Sequence, residues 1–169
     1  MITPEINDSL EKILPILKKH SVELIAIGGI AVHHYGHQRI SGGPVQEDIK
    51  ADLDFWYKPT NENYINLLRA LKGMDVNTDD LEKIIFDPKK TFLKIPHKTF
   101  HTDFLPQVTG LSSYQESKKN SSILTIGGHE VPVISYKDLV KNKQAVNRMI
   151  DKSDVEALEK KNKSRGMER

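Results

Sequence analysis

KADLDFW, residues 50–56, is the stretch on which the reading of the fold turns. Its polarity alternates, so Leu53 and Phe55 point to one side of a strand while Asp52 and Asp54 point to the other. Two carboxylates placed this way have Cα atoms about 7 Å apart, and aspartate is scarce in strands. A third acid joins them. In HTDFL, residues 101–105, Asp103 shares a face with His101 and Leu105, so pairing of the two strands brings it beside Asp52 and Asp54. Three anions within about 4 to 5 Å repel by roughly 4 kcal/mol per pair at an effective dielectric of 20. A hard divalent cation with oxygen ligands relieves that repulsion, and Mg²⁺ suits carboxylates that share it with phosphate oxygens. The plain alternative is that the aspartates face solvent or pair with Lys50 or Arg39.

Working outward, VELIAI (22–27) is a continuous β-branched run read as a buried strand that ends at Gly28 and Gly29. A short helix, IAVHHYG, follows and stops at Gly36. Glycines between a strand and a helix let backbone N–H groups approach an anion, with the positive end of the helix dipole behind them. An ordinary tight connection looks the same. Upstream, Asp8 with Glu11 predicts a helix start, and Pro15 predicts a kink or a late start. Residues 41–49, with two glycines and a proline, predict an exposed loop. Downstream, Thr60 caps a helix, DDLEKIIF forms a short one, TFLKI and TFHTDFL form strands, and SSILTIGGHEVPVIS forms a hairpin at Gly127 and Gly128. Ser135 opens a helix, and Ser153 with Glu156 predicts a capping box for the last one. The order implies an α+β, or mixed α/β, domain over 1–158 with a basic, frayed tail at 159–169.

The bulk numbers agree with one domain. The chain has 169 residues, 25 basic and 23 acidic, for a formal charge of +2, which argues against a nucleic-acid coat. It contains no cysteine, so any metal site uses oxygen or imidazole ligands. No run approaches the length of a membrane span, and the N-terminus lacks a signal-peptide pattern, so a cytoplasmic location without membrane contact is expected.

The segments IGGIAVHHYGHQR, ADLDFW, HTDFLPQVTG and VISYKDLVKNKQAVNRMIDKSDVEAL, in that order, resemble the signatures of nucleotidyltransferases with the DNA polymerase β fold, most nearly the small bacterial branch around the abortive-infection (toxin–antitoxin) type. The resemblance covers about residues 22 to 158. It implies a central mixed β-sheet flanked by helices with further helices at the C-terminus. It also implies transfer of a nucleoside monophosphate from an NTP to an acceptor, with pyrophosphate released. By the same resemblance Asp52 and Asp54 hold two Mg²⁺ ions, with Mn²⁺ as a substitute, and Asp103 completes the metal site on the attacking side. Gly28 and Gly29 line the triphosphate site. Arg39 is placed with the nucleotide-binding residues by the same resemblance, although the chain departs from the pattern between Arg39 and Asp52, where relatives have a short link containing Thr and this chain has a glycine-rich loop. The acceptor is left open among small molecules, proteins and RNA, and the short chain leaves room for a second copy or a partner protein to complete the cleft. The rival readings are a non-catalytic binding module that keeps the pocket, and a phosphohydrolase using the same acids.

Lys143 stands out independently. Residues 139, 140, 143, 146 and 150 define one helical face, and Lys143 interrupts its apolar stripe. Either its stem snorkels to water, or its ammonium enters the cleft and binds a phosphate, as the resemblance implies. Arg148, Asp151 and Asp154 are read as an ion-pair and capping network. His33 and His37 have the i, i+4 spacing of a zinc site, but no second ligand cluster accompanies them. Trp56 falls on the Asp face, where it could stack on a base.

Overall fold

The hydroxyl of Thr3 accepts the Ile6 amide and opens the first helix, α1 (Pro4–Lys19), with Pro4 at a position where its missing N–H costs nothing. The computed structural model of the chain describes residues 3–36 and 50–167. The sequence predicts a start at Asp8 and a kink or a late start at Pro15. The helix instead begins at Pro4 and carries Pro15 in its interior, because Leu10, Ile13, Leu14 and Leu17 bury one continuous face around it. Burying four such side chains outweighs a proline cost of about 3 kcal/mol.

The strand β1 (Leu24–Ile27) leads into α2 (Gly28–His34), and β2 (Ala51–Tyr57) into α3 (Asn61–Gly73), which Thr60 caps by accepting the Asn63 amide. The short α4 (Asp79–Glu82) precedes β3 (Leu93–Pro96) and β4 (Phe100–Leu105); α5 (Tyr114–Lys119) then precedes the hairpin β5 (Ser122–Ile126) and β6 (His129–Val133). These strands form one six-stranded sheet in the order β3-β4-β2-β1-β6-β5. It is mixed: β2 runs parallel to β4 and β1 to β6, while the other neighbours are antiparallel. The expected mixed sheet flanked by helices is therefore present. Leu53, Phe55 and Tyr57 are fully buried, Phe55 stacks on Phe104 of the adjacent strand with ring centroids 5.6 Å apart, and α1 packs against β2 and α3. The apolar half of the opening alternation thus makes the core and leaves the acidic half on the other face.

The C-terminal helices depart from the sequence expectation. The helix α6 (Tyr136–Val146) starts at Ser135 as predicted, but it ends at Asn147, which is left-handed at φ 58°. The stripe through 146 and 150 is broken there, and Val146 and Ile150 are exposed while Leu139 and Lys143 are buried. The last helix, α7 (Met149–Met167), begins before Ser153, so no Ser153 capping box forms; Asp151 caps instead, its Oδ2 accepting the Arg148 amide at 3.2 Å. This helix continues as far as Met167, into the stretch read as a tail, and Lys161 Nζ donates to the Gly36 carbonyl at 2.8 Å. Among the described residues, no helix is long and apolar enough to cross a membrane.

Candidate nucleotide and metal site

Register assembles the acids. In the parallel pair β2–β4, Asp54 lies opposite Asp103 and Asp52 opposite His101, and in the antiparallel pair β1–β2, Ile27 lies opposite Asp54. Asp54 and Asp103 are therefore neighbours on adjacent strands about 4.8 Å apart, on one face of the sheet, close enough for the Asp54 side chain to act on the Asp103 carboxyl. Asp52 is exposed at the outer end of the same row.

Gly28 explains how Asp54 fits. Its φ is +56°, and a Cβ built on it would overlap Asp54 Oδ2, so the carboxylate sits directly over a backbone that only glycine leaves open. Gly29 is different, since a Cβ there would meet nothing within 4 Å among the described residues. The glycine pair divides its work: one admits the acid, the other leaves open space at the start of α2.

Asp103 carries the electrostatic strain. Burial pushes its carboxyl above the ordinary range; Lys94, opposite it on β3, pulls it back, the charge of Asp52 raises it again, and the hydrogen bond from Asp54 and the charge of His101 lower it. Its Oδ1 is buried and has no hydrogen-bond partner among the described residues. An unsatisfied buried carboxylate oxygen in an all-oxygen set is the donor chemistry that a hard divalent cation takes. Asp54 and Asp103 are the acids brought into contact; among the described residues, no three acidic or imidazole side chains already stand close enough to form a cage.

Lys143 is not open to the cleft. Its residue is 3 % exposed, and Nζ lies 3.0 Å from Asp151 Oδ1 and 3.2 Å from Asp154 Oδ2. Arg148 completes the network, with Nε 2.7 Å from Asp151 Oδ2 and Nη2 donating to Oδ1 at 3.3 Å. Burial alone would raise the Asp151 carboxyl, but the hydrogen bonds from Arg148 and Lys143 overcome it and hold it at about 2. Arg148 is itself raised, first by its hydrogen bond to Asp151 against some desolvation, then by the charges of Asp151, Asp54 and Asp154. The network therefore lies within electrostatic reach of the acidic row.

Other expected residues fall elsewhere. Arg39, His37 and the loop 41–49 lie outside the described residues. Trp56 follows the acids on their face but is 3 % exposed, donating from Nε1 to the Pro106 carbonyl at 3.0 Å and meeting Tyr114 edge-on, so it is not open to a base. His97 bonds Thr102 Oγ1 through Nε2 at 2.9 Å and stacks on Phe100, a structural arrangement. The sequence misses Lys94, although the alternation of TFLKI puts it on the Asp face of the neighbouring strand, which was the available signal.

No family model and no curated protein matches the chain. Among solved structures it is similar to the lincosamide antibiotic adenylyltransferase LnuA in its lincomycin-bound form, with 14 % identity and a TM-score of 0.54 over 94 % of this chain and 97 % of that one. It is also similar to TM1012 of Thermotoga maritima, titled a "putative nucleotidyltransferase", with 18 % identity and a TM-score of 0.53 over 100 % of this chain and 97 % of that one. At such identities the likeness is one of architecture, and the architecture is the nucleotidyltransferase fold.

Proposed function

We propose that the protein is a metal-dependent nucleotidyltransferase that moves a nucleoside monophosphate from an NTP to an acceptor hydroxyl and releases pyrophosphate. The observation that carries this reading is the in-register pairing of Asp103 with Asp54, whose carboxylate sits over Gly28. Asp52, Asp54 and Asp103 would hold two Mg²⁺ or Mn²⁺ ions. Such ions, when bound, neutralise charge on the phosphates and lower the pKa of the acceptor hydroxyl. Asp103, whose carboxyl is raised by burial, is the group suited to take the acceptor's proton as its oxygen attacks the α-phosphorus and the bond to the β-phosphate breaks. Among the described residues the space above Gly29 is open, which leaves room for the triphosphate against backbone amides, and the Asp54 charge acts on Arg148, the exposed cation of the network. One fold neighbour adenylylates a lincosamide antibiotic, and a small hydroxylated acceptor fits that precedent. Placement near the abortive-infection-toxin branch, with a protein or RNA acceptor, is the finer alternative.

The test is to incubate the protein with Mg²⁺, labelled NTPs and cell extract. Transfer of label to an acceptor with pyrophosphate release, both abolished by Asp54→Asn, is the expected result. Release of inorganic phosphate without labelled acceptor would identify a phosphohydrolase instead. No transfer together with no NTP binding would overturn the proposal.

A further inference from the structure

We infer that Arg148, and not Lys143, is the side chain that grips the phosphate chain of the bound nucleotide, with Asp151 as the positioning residue behind it. This rests on the nucleotidyltransferase reading above and assigns a subsite within it. The network contains two cations and two anions, and the cations are in opposite situations. Lys143 has 4 % of its side chain exposed, and its ammonium already spans two carboxylates, so it reaches no ligand without breaking two buried ion pairs. Arg148 has 65 % of its side chain exposed while Asp151, 1 % exposed, grips only one edge of its fork.

A guanidinium carries five N–H donors. Two of Arg148's are used on Asp151, and the remaining outward donors have no hydrogen-bond partner among the described residues. Capping α7 needs only the Arg148 backbone amide on Asp151 Oδ2. The side chain is not needed for that bond, yet it is held in place by a carboxylate that Lys143 has fixed from behind. A planar fork clamped on one edge and free on the other suits bidentate contact with phosphate oxygens, with little rotamer entropy left to lose. Asn147, left-handed at φ 58°, ends α6 just before Arg148; α6 packs against α2, the helix that Gly28 and Gly29 open beneath Asp54, and the Asp54 charge acts on Arg148.

The test uses the full chain with inorganic tripolyphosphate and Mg²⁺, which removes the unknown base from the measurement, and ATP, GTP, CTP and UTP in parallel. Titration calorimetry should show Arg148→Met weakening tripolyphosphate and NTP binding by about 10- to 100-fold, with nucleoside monophosphate affinity much less affected. Arg148→Lys, which keeps charge but loses the fork, should recover only part of the loss. A thermal melt of each variant reports whether the fold is intact, and Met is chosen because it leaves the Lys143 and Asp151 pair in place. Wild-type protein that binds NTP while folded Arg148→Met binds equally well overturns this assignment alone. Wild-type protein that binds no polyphosphate overturns it together with the function on which it rests. Equal weakening for monophosphate and triphosphate would place Arg148 on the nucleoside side and also overturn it.

Discussion

Gly28 and Asp103 show how much of a site can depend on single atoms. A methyl at Gly28 would both demand a left-handed backbone and overlap the Asp54 carboxylate, so Gly28→Ala is expected to destabilise the fold by at least about 1 to 3 kcal/mol and to abolish nucleotidyl transfer; urea unfolding and the transfer assay measure the two losses. Asp103 gives the opposite sign for stability. Its folded-state carboxyl is raised, so above its titration the ionised form costs the native state, and that cost is relieved as pH falls toward the ordinary carboxylate range. Asp103→Asn should therefore raise the melting temperature of the metal-free protein at pH 7 while eliminating activity. The acids themselves were legible because alternation assigns faces without knowledge of partners. The role of Gly28 was legible only as a generic glycine turn, since the atom it makes room for comes from a strand that pairs with β1 through sheet register.

At the scale of elements, the elbow between α6 and α7 is where sequence and structure part. Helical periodicity runs through residue 150 on paper, but Asn147 adopts a left-handed conformation that ends α6 and restarts the chain as α7. Periodicity cannot see a break at a residue that is merely tolerant of αL, and the Ser153–Glu156 pattern fits a capping box whether or not the helix has already begun at Met149. The elbow also makes a pH prediction. The Asp151 carboxyl is held at about 2 in the folded protein against an ordinary value of 3.8, so it contributes stability that is complete above about pH 4 and is lost as pH falls toward 2. Asp151→Asn is then expected to cost about 3 to 5 kcal/mol at neutral pH by leaving Lys143 buried with one carboxylate fewer. In denaturation series at pH 7 and pH 2.5, the gap between variant and wild type should be large in the first and much reduced in the second.

For the molecule as a whole, the mixed sheet was readable in its strands and in the hairpin at Gly127 and Gly128, and the acids signalled that β2 and β4 are neighbours, whereas the parallel pairing of β1 with β6 left no turn signature to read. If the acidic row binds divalent ions as proposed, Mg²⁺ should raise the melting temperature by mass action, by an amount corresponding to about 2.7 kcal/mol at a hundredfold excess over its Kd. Sodium at matched ionic strength should not, and Asp54→Asn should remove the rise.

The parallel pairing of β2 with β4 also has a consequence for the order of events during synthesis. Asp54 and Asp103 are far apart along the chain, and α3, α4 and β3 must cross over before they meet; the cations of the elbow arrive later still. A nascent polypeptide leaving the ribosome carries Asp52 and Asp54 early, but the row they share with Asp103 is assembled only once β4 has emerged, and the elbow only after α6 and the start of α7.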